Sequence, residues 1–327
     1  MKKENLILAL VIAVLSIYLH TGKKDNNNYT LPVLDEVKAS EITDISLSKK
    51  DTLISIKKKG DVWVLSDKEY LADKSKIDNM IAAIKKIELT ALVSENKDLA
   101  RYELDPANKI SVQAKKEEKL LRKLDVGKTA TTYNHTFISL EGDDKVYQAK
   151  GDFKSQFDKT IAQLRDKSVL SFKPEEIQTI LISKNDITQT FTQELEEPPV
   201  EGEKNNAKAI TISKEKKKIW KSGNNQASDN EVMDDLMTTL KTLECEEYTK
   251  IEEKDPFWSK KMIAKVAIQG ANELVIFEKE DEKYPAISSD NAYPLLLSDN
   301  NGKNILDLVD KILGIENKES KDAAKTE

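Results

Sequence analysis

The chain has 327 residues, of which 39% are hydrophobic, and this is enough to give two ordinary domains a core each. Its 58 acidic and 52 basic residues leave a formal net charge of −6, and the arginines number only three, at positions 101, 122 and 165. This composition offers no broad positive field and few bidentate phosphate ligands, so it predicts no nucleic-acid partner. Cys245 is the one cysteine, which excludes an intramolecular disulfide and a cysteine-based zinc cluster.

The first 24 residues have the charge pattern of a membrane-targeting segment. Two lysines precede an apolar run from Leu6 to Leu19, and two more follow it. The run is short for a membrane span and also fits the apolar region of a signal peptide, but no Ala-x-Ala cleavage pattern lies near its end. We expect residues 1–24 to form an uncleaved signal anchor with one transmembrane helix. A removed signal peptide and a buried soluble helix are the alternatives.

The flanking lysines also predict an orientation. The amino-terminal side carries two lysines and the terminal amine, whereas Asp25 follows the two lysines on the other side. Under the positive-inside rule, the N-terminus then lies in the cytoplasm and the rest of the chain outside it. We therefore expect a single-pass protein of the cell inner membrane, with its body in the periplasm or otherwise extracytoplasmic, behind a polar tether at residues 25–40.

Two stretches further along the chain repeat one pattern around a tryptophan. With Trp63 placed over Trp220, the strings that correspond are TLISIKKKGDVWVLS and AITISKEKKKIWKSG. Each contains two short β-branched runs joined by a lysine-rich stretch, which predicts a pair of strands. A long period of this kind indicates that one domain was duplicated.

The offset between the two copies changes along the chain. Ile42 lies 135 positions before Ile177, whereas Trp63 lies 157 positions before Trp220, so the second copy has 22 extra residues (157 − 135). Residues 187–208 contain two prolines, a glycine and several charges without a sustained apolar period. We therefore predict an inserted surface loop at 187–208, and we interpret it as a solvated insertion rather than a contact site.

Helix signals follow in both copies. Asp73, as an N-cap, precedes isoleucines at helical spacing, and Ser228 or Asp229 precedes a matching run. Both copies then have an Asp-Pro turn that opens a strand, a hairpin, and a closing amphipathic helix. The apolar residues of the two closing helices are Phe157, Ile161 and Leu164 in the first copy and Ile305, Val309 and Ile312 in the second.

These signals together predict an α+β fold. It would have an N-terminal transmembrane helix followed by two divergent repeats, each an antiparallel sheet with two main helices. The first α+β repeat is expected at 41–172 and the second at 173–314, with the inserted loop at 187–208. Residues 315–327 are mostly polar and charged, and we expect them to form a disordered tail.

Two motifs resemble ligand-binding loops, but the spacing of their residues does not match those loops. Gly127-Lys128-Thr129 lacks the glycine that a phosphate loop has five positions earlier, where Arg122 stands, and it predicts a strand-end turn instead. Residues 298–304, SDNNGKN, resemble a calcium loop, but their glycine comes too early. This spacing favours the turn at the start of a helix.

The histidines and tryptophans also give no site. His135 is the only histidine beyond His20 at the end of the apolar run, so neither a zinc cluster nor a Ser-His-Asp triad is indicated. Trp63 and Trp220 occupy equivalent positions of the repeat, which favours core packing over an aromatic ligand platform with Trp258. The sequence therefore predicts no catalytic, cofactor-binding or metal-ligating residue and no cofactor.

The order of the motifs resembles a known family. The chain begins with a basic N-terminus and one apolar segment. Next come a strand pair that ends in a tryptophan, and a helix. The motifs that follow are YELDP from Tyr102, LDVGK from Leu124, the YNHTFISL hairpin and LRDKSVLSF from Leu164. This order is similar to that of domain-of-unknown-function family 4340 over nearly the whole chain, and the charged segment 187–208 departs from it. The resemblance implies a membrane-anchored protein of a bacterial envelope, of a kind often encoded beside gliding-motility-type ABC transporter components. No catalytic residue is established for the family, so none is carried over.

We therefore expect a non-enzymatic, membrane-anchored extracytoplasmic protein that is an accessory or scaffold subunit of an ABC-type transport or gliding-type envelope system. Its expected partners are the membrane, through the single N-terminal anchor, and the membrane subunits of an ABC-type transporter. The alternative is an envelope hydrolase or glycan-processing enzyme that uses paired carboxylates, which abound in the sequence.

Overall fold

The structure is a computed structural model, and the chain divides into two compact units, residues 1–165 and 166–327. The sequence placed the boundary between the repeats a few residues later, between 172 and 173. The residues that the structure describes are 11–17, 29–66, 68–95, 98–131, 134–196, 217–224, 228–250, 253–269 and 272–315.

The first unit contains a large antiparallel sheet. Its strands are β1 (Asp44–Lys49), β2 (Thr52–Lys59), β3 (Val62–Leu65), β4 (Tyr70–Leu71), β5 (Leu89–Ser94), β6 (Ile110–Lys116), β7 (Lys119–Thr129), β8 (His135–Leu140) and β9 (Val146–Lys150). They are arranged in the order β4-β3-β2-β1-β6-β7-β8-β9-β5. The helices are α1 (residues 11–17), α2 (Lys74–Lys85), α3 (Phe153–Phe157) and α4 (Ile161–Leu164).

Alternating side chains give the sheet one apolar face. In β1, Ile45 and Leu47 are buried, while the serines between and after them are half-buried on the other side. Strand β6 repeats this alternation with Ile110, Val112 and Ala114. Because successive residues of a strand point to opposite faces, these apolar residues share one face and form the core there.

Helix α2 begins as the sequence predicts. The carboxylate of Asp73 accepts a hydrogen bond from the backbone N–H of Lys76 at 3.2 Å, so the predicted N-cap is confirmed. The isoleucine stripe is also confirmed, because the buried residues of the helix are Ile77, Met80, Ile81 and Ile84. Burial of this stripe stabilises the helix more than its own propensity does.

The second unit contains a sheet of the same kind. Its strands are β10 (Thr179–Lys184), β11 (Ile187–Glu196), β12 (Lys217–Ser222), β13 (Glu247–Tyr248), β14 (Met262–Ile268), β15 (Asn272–Phe277), β16 (Lys283–Ser288) and β17 (Leu295–Ser298). They are arranged in the order β12-β11-β10-β14-β15-β16-β17-β13. The α-helices among the described residues of this unit are α5 (Asn230–Lys241) and α6 (Asp299–Leu313), and Asp229 is the N-cap of α5.

The two sheets have one strand order, apart from β4, which extends the first sheet by one short strand. In this common order β3 of the first unit corresponds to β12 of the second. Trp63 lies on β3 and Trp220 lies on β12, and both side chains are buried in the core of their unit. The chain therefore repeats one topology, with a tryptophan on the same strand.

The surface loop predicted at 187–208 is wrong for its first half. Residues Ile187–Glu196 form β11, which pairs with β10 and β12, and Phe191 is buried against the core. Its three threonines, Ile187 and Phe191 have high strand propensity, so the composition of this half favours a strand. The loop prediction came from the prolines, the glycine and the charges that follow. The extra residues of the second copy therefore lie after β11, and residues 197–216 are outside the described part of the chain.

The predicted fold class is also wrong in its helices, since the structure is mostly two antiparallel sheets with few helices. The closing helix expected around Phe157, Ile161 and Leu164 is broken into the short α3 and α4. Thr160 caps α4 in a capping box with Gln163, and this starts a new helix where the apolar spacing predicted a continuous one. Among the described residues of the first unit, the longest helix is therefore α2, with 12 residues.

The transmembrane helix predicted within residues 1–24 is not supported. Residues 11–17 form α1, and the remainder of that segment lies outside the described residues. In the part of the chain that the structure describes, no helix is both long and apolar enough to cross a membrane.

The predicted tether at 25–40 is partly integrated into the first unit. The N–H of Val37, which is buried, donates to the carbonyl of Lys85 at 3.1 Å, and the Arg122 guanidinium donates to the carbonyl of Asp35. Residues 25–28, and residues 316–327 of the predicted tail, lie outside the described residues.

Candidate functional site: a cleft beside the broken helix

A cleft of about 600 Å³ lies on the first unit, along the break between α3 and α4. We call it the α3–α4 cleft. It is lined by Leu47, Lys49, Thr52, Ile54, Ile110, Phe157, Asp158, Lys159, Thr160, Ile161, Ala162 and Gln163.

The floor of the α3–α4 cleft is apolar. Leu47 on β1 and Ile54 on β2 lie directly opposite each other in the sheet, and Ile110 is the first residue of β6. Phe157 ends α3 and stacks on Phe153 with ring centroids 6.2 Å apart. These four floor side chains belong to the core and are only 1–3% exposed. Most of the accessible surface of the cleft therefore comes from Lys49, Thr52 and residues 158–163.

An ion pair marks the rim of the cleft. The Lys49 ammonium donates to both carboxylate oxygens of Asp158, at 2.7 and 2.9 Å. Lys49 is two residues beyond Leu47 and so shares its face of the sheet. Asp158 is the first non-helical residue after α3, so the helix break places its carboxylate at the rim.

Helix α4 forms one wall of the cleft, and its C-terminal end packs against the rest of the first unit. The N–H of Asp73 donates to the carbonyl of Leu164 at 2.8 Å. The Arg165 guanidinium lies 3.9 Å from the centre of the Tyr70 ring, a cation–π contact. The segment that forms this wall is therefore fixed at its C-terminal end by packing and at its N-terminal end by the exposed ion pair with Lys49.

The second unit has the same ion pair in a different setting. Lys184 ends β10 as Lys49 ends β1, and its ammonium lies 2.7 Å from the carboxylate of Asp310. Asp310 belongs to α6, a continuous helix of 15 residues that contacts β10, β16 and β17. Asp310 is buried under that helix and Lys184 is half-buried, whereas both residues of the first unit's pair are much more exposed at the cleft.

The residues under the two ion pairs also differ. Ile54 of the first unit corresponds to Gln189 of the second, since each faces the matching residue of the preceding strand. Ala264 of β14 stands opposite Lys184, in the place that Ile110 takes near Lys49. The first unit therefore has larger aliphatic side chains where its covering helix is interrupted.

A polar groove of about 510 Å³ lies on the first unit's sheet and is lined by the side chains that alternate with the core residues. Its acidic groups are engaged: Lys109 donates to Asp125 at 2.7 Å, and Lys123 donates to Glu141 at 3.3 Å. The hydroxyl of Tyr147 donates to Asp143 at 2.5 Å. Burial, with this hydrogen bond, raises the pKa of Tyr147 to about 12.

His135, the one candidate for histidine chemistry, lies on β8 opposite Lys150 and is half-buried. The α3–α4 cleft and the polar groove are both lined by other residues. Among the residues that the structure describes, no group of three or more histidine, cysteine or acidic side chains is placed to hold a metal ion.

The two rejected motifs have structural roles. Gly127 lies in β7, and a Cβ at this position would overlap the carbonyl oxygen of Tyr102, so the glycine permits a close backbone approach. Ser298 caps α6 by accepting from the N–H of Asn301 at 3.2 Å, as the helix-start interpretation of residues 298–304 predicts. Trp258 is more than half exposed and stands edge-on to Phe277, away from the core position of Trp63 and Trp220.

Sequence reasoning gave none of the cleft residues a functional role. The signal that could have found them is the capping box, because Thr160 and Gln163 show the S/T-x-x-E/Q pattern that begins a helix. A new helix start inside the predicted closing helix implies a break just before it, at Asp158. The pairing of Asp158 with Lys49, 109 positions away, has no local signal.

The model of a protein family described as a domain of unknown function (DUF4340) matches residues 63–261, more than half of the chain. The chain belongs to the DUF4340 family. The resemblance inferred from the order of the motifs is thereby confirmed. The DUF4340 match begins at Trp63 on β3 and ends just before β14, so it includes parts of both units. No curated protein and no solved structure matches the chain.

Proposed function

We propose that this DUF4340 protein is a non-enzymatic accessory or scaffold subunit of an ABC-type transport or gliding-type envelope system, and that its α3–α4 cleft binds a partner protein of that system. The observation that carries the proposal is the cleft at the helix break of the first unit, since the second unit covers the corresponding strand β10 with the continuous helix α6. In folded domains, the apolar face of a sheet is buried against another secondary-structure element.

The chemistry of the cleft supports binding. Its volume falls within the range of about 300–1,000 Å³ that is usual for ligand clefts. Its floor is aliphatic and aromatic, and the charges of Lys49 and Asp158 at its rim satisfy each other. Thr52 and the wall residues 159–163 are more accessible than the floor, so a bound partner would contact mainly the wall and the rim.

The resemblance to the family supports the choice of partner. Its members resemble envelope proteins encoded beside ABC transporter components, so we place the partner among the membrane subunits of such a transporter. The two units would then act outside the cytoplasm. Protease added to intact spheroplasts is expected to digest both units, and protection until the membrane is lysed would contradict this location.

Photo-crosslinking in the cells that make the protein tests the proposal. A photoreactive amino acid replaces Ala162, which is exposed and lines the cleft, or the control Ala82, which is exposed on α2 outside it. We expect crosslinks to a transporter subunit from position 162 and none from position 82. Crosslinks to the same proteins from both positions, or to none from position 162, would overturn the proposal.

A further inference from the structure

We infer that a second cavity of the first unit binds a carboxylate ligand with an apolar body, and that the Arg122 guanidinium holds the carboxylate. The cavity has a volume of about 740 Å³ and is lined mainly by residues 32–37, by residues 119–123 of β7 and by the end of β8 with the turn that follows. We call it the Arg122 pocket. It shares no lining residue with the α3–α4 cleft, so the inference is independent of the proposed function.

Arg122 is buried in the wall of this pocket without a counterion. The residue is 8% exposed, and its Nη2 group donates to the backbone carbonyl of Asp35. Among the residues that the structure describes, its Nε group has no hydrogen-bond acceptor and the guanidinium has no ion-pair partner. Burial therefore removes water from this charge, and no described carboxylate replaces the water. Arg122 thus retains the capacity to bind one anion.

The Arg122 guanidinium is also accessible from the pocket. Its Nη1 group is not closed off from solvent as Nε is, and no described residue accepts a hydrogen bond from it. Burial lowers the pKa of the Arg122 guanidinium, and the charge of the exposed Asp35 opposes this only in part. The planar fork of N–H groups matches the two oxygens of a carboxylate, so an incoming carboxylate finds a suitable donor.

The charges around the pocket favour a ligand with a single negative charge. The five acidic side chains that line it are balanced by Arg122, by Lys119 and by three lysines in ion pairs. These pairs are Glu36 with Lys85 at 3.1 Å, Glu41 with Lys116 at 3.5 Å, and Glu141 with Lys123 at 3.3 Å. The attraction for an anion is therefore local to Arg122, and the acids Asp35 and Asp143 repel further negative charge. This balance favours a carboxylate over a doubly charged phosphate.

The pocket also offers accessible apolar surface for the rest of the ligand. Leu34, Leu121 and Leu140 are half-buried, and Leu120 is 38% exposed. The volume of the pocket far exceeds that of a carboxylate group and lies within the usual range of ligand clefts. An apolar body beside the carboxylate would cover these leucines and gain affinity from their burial.

Isothermal titration calorimetry of the full-length protein with octanoate tests the inference. We expect saturable binding of octanoate and at least about tenfold weaker binding of acetate, which lacks the apolar body. Octylammonium, which keeps the body and reverses the charge, should not bind. N-acetylleucine is the second carboxylate probe. Tighter binding of octanoate supports an acyl acid as the ligand, and tighter binding of N-acetylleucine supports the C-terminal carboxylate of a peptide.

The variant Arg122→Met keeps the length of the side chain and removes its charge. It should bind octanoate at least about tenfold more weakly. The matched control is Arg101→Met, because Arg101 is an exposed arginine of the first unit outside the pocket, and its affinity should not change. If Arg122→Met does not fold, Arg122→Lys serves as the second variant. It keeps the charge, loses the planar fork and should still bind octanoate more weakly than the unchanged protein.

Thermal unfolding separates a binding role of Arg122 from a structural one. A buried guanidinium without its counterion opposes folding, so Arg122→Met without ligand should leave the Tm unchanged or raise it. Octanoate should raise the Tm of the unchanged protein and not that of Arg122→Met. The inference is overturned by an absence of binding of both carboxylates, by equal affinity of the unchanged protein and a folded Arg122 variant, or by binding of octylammonium. A lower Tm of Arg122→Met without ligand also overturns it.

Discussion

Lys184 and Asp310 form an ion pair of 2.7 Å beneath α6, with side chains that are only 16% and 5% exposed. Lys49 and Asp158 form a pair of the same length at the α3–α4 cleft, with side chains that are 45% and 36% exposed. The two pairs occupy matching strand ends, and what distinguishes them is burial. Since a buried charge without its partner costs far more than an exposed one, the two pairs should respond differently to mutation.

We expect Asp310→Ala to lower the free energy of unfolding by about 3 kcal/mol, because it leaves the Lys184 ammonium without its partner under α6. Asp158→Ala should lower it by less than about 1 kcal/mol, because water replaces the lost contact of Lys49. Urea denaturation followed by tryptophan fluorescence measures both. Equal losses in the two variants would contradict the distinction between a structural pair and an exposed one.

Gly302→Ala should destabilise the second unit although it improves helix propensity. Alanine gains about 1 kcal/mol over glycine within a helix. A Cβ at this position, however, would overlap Cδ2 and Cγ of the Tyr284 ring, which cannot move aside as a flexible side-chain end could. Thermal unfolding should show a lower Tm for Gly302→Ala and an unchanged or slightly higher Tm for Asn304→Ala, an exposed position of the same helix. A higher Tm for both variants would mean that α6 does not pack tightly on Tyr284.

Tyr147 should make stability fall at alkaline pH. Burial, the hydrogen bond to Asp143 and the charge of Glu95 raise the pKa of Tyr147 to about 12, whereas an unfolded chain has a tyrosine pKa of about 10. The folded state therefore keeps the phenol proton that the unfolded state loses first. This contribution is complete below pH of about 10 and is lost as the pH rises from about 10 to 12.

Absorbance of tyrosinate during an alkaline titration, with Tyr147→Phe for comparison, measures this effect. The tyrosinate absorbance of the phenylalanine variant should lack the one step that the unchanged protein shows near pH of about 12. The stability of the variant should also decline less steeply above pH of about 10. Identical titration curves for the variant and the unchanged protein would show that Tyr147 ionises normally.

Cys245 should be chemically inert and dispensable. The side chain is 2% exposed and its backbone N–H donates to the carbonyl of Lys167 at 2.8 Å, a bond that alanine or serine at this position would also make. A thiol reagent should react slowly with the folded protein and fully in urea. We expect Cys245→Ala to cost about 1 kcal/mol and to leave the crosslinks from position 162 unchanged. Fast labelling of the folded protein would place Cys245 on an accessible surface instead.

The sequence by itself determined the local elements and their repetition. Asp73 and Asp229 cap the helices predicted for them, because a short polar side chain before an apolar stripe at helical spacing acts within a few residues. Trp63 and Trp220 aligned correctly, since each follows a β-branched run that predicts the same strand. The family also followed from the order of such local motifs.

Only the tertiary structure decided the rest. Residues Ile187–Glu196 pair with β10 in a hairpin and with β12, which begins 21 residues after β11 ends. The pairing with β12 spans residues 197–216, and the local composition does not specify it. The break at Asp158 had a local signal in the capping box, but the α3–α4 cleft depends on β1, β2 and β6 lying beneath it. Burial likewise separates Asp310 from Asp158, two aspartates near helices in the sequence, because the cost of an unpaired charge is set by the surrounding fold and not by the residue.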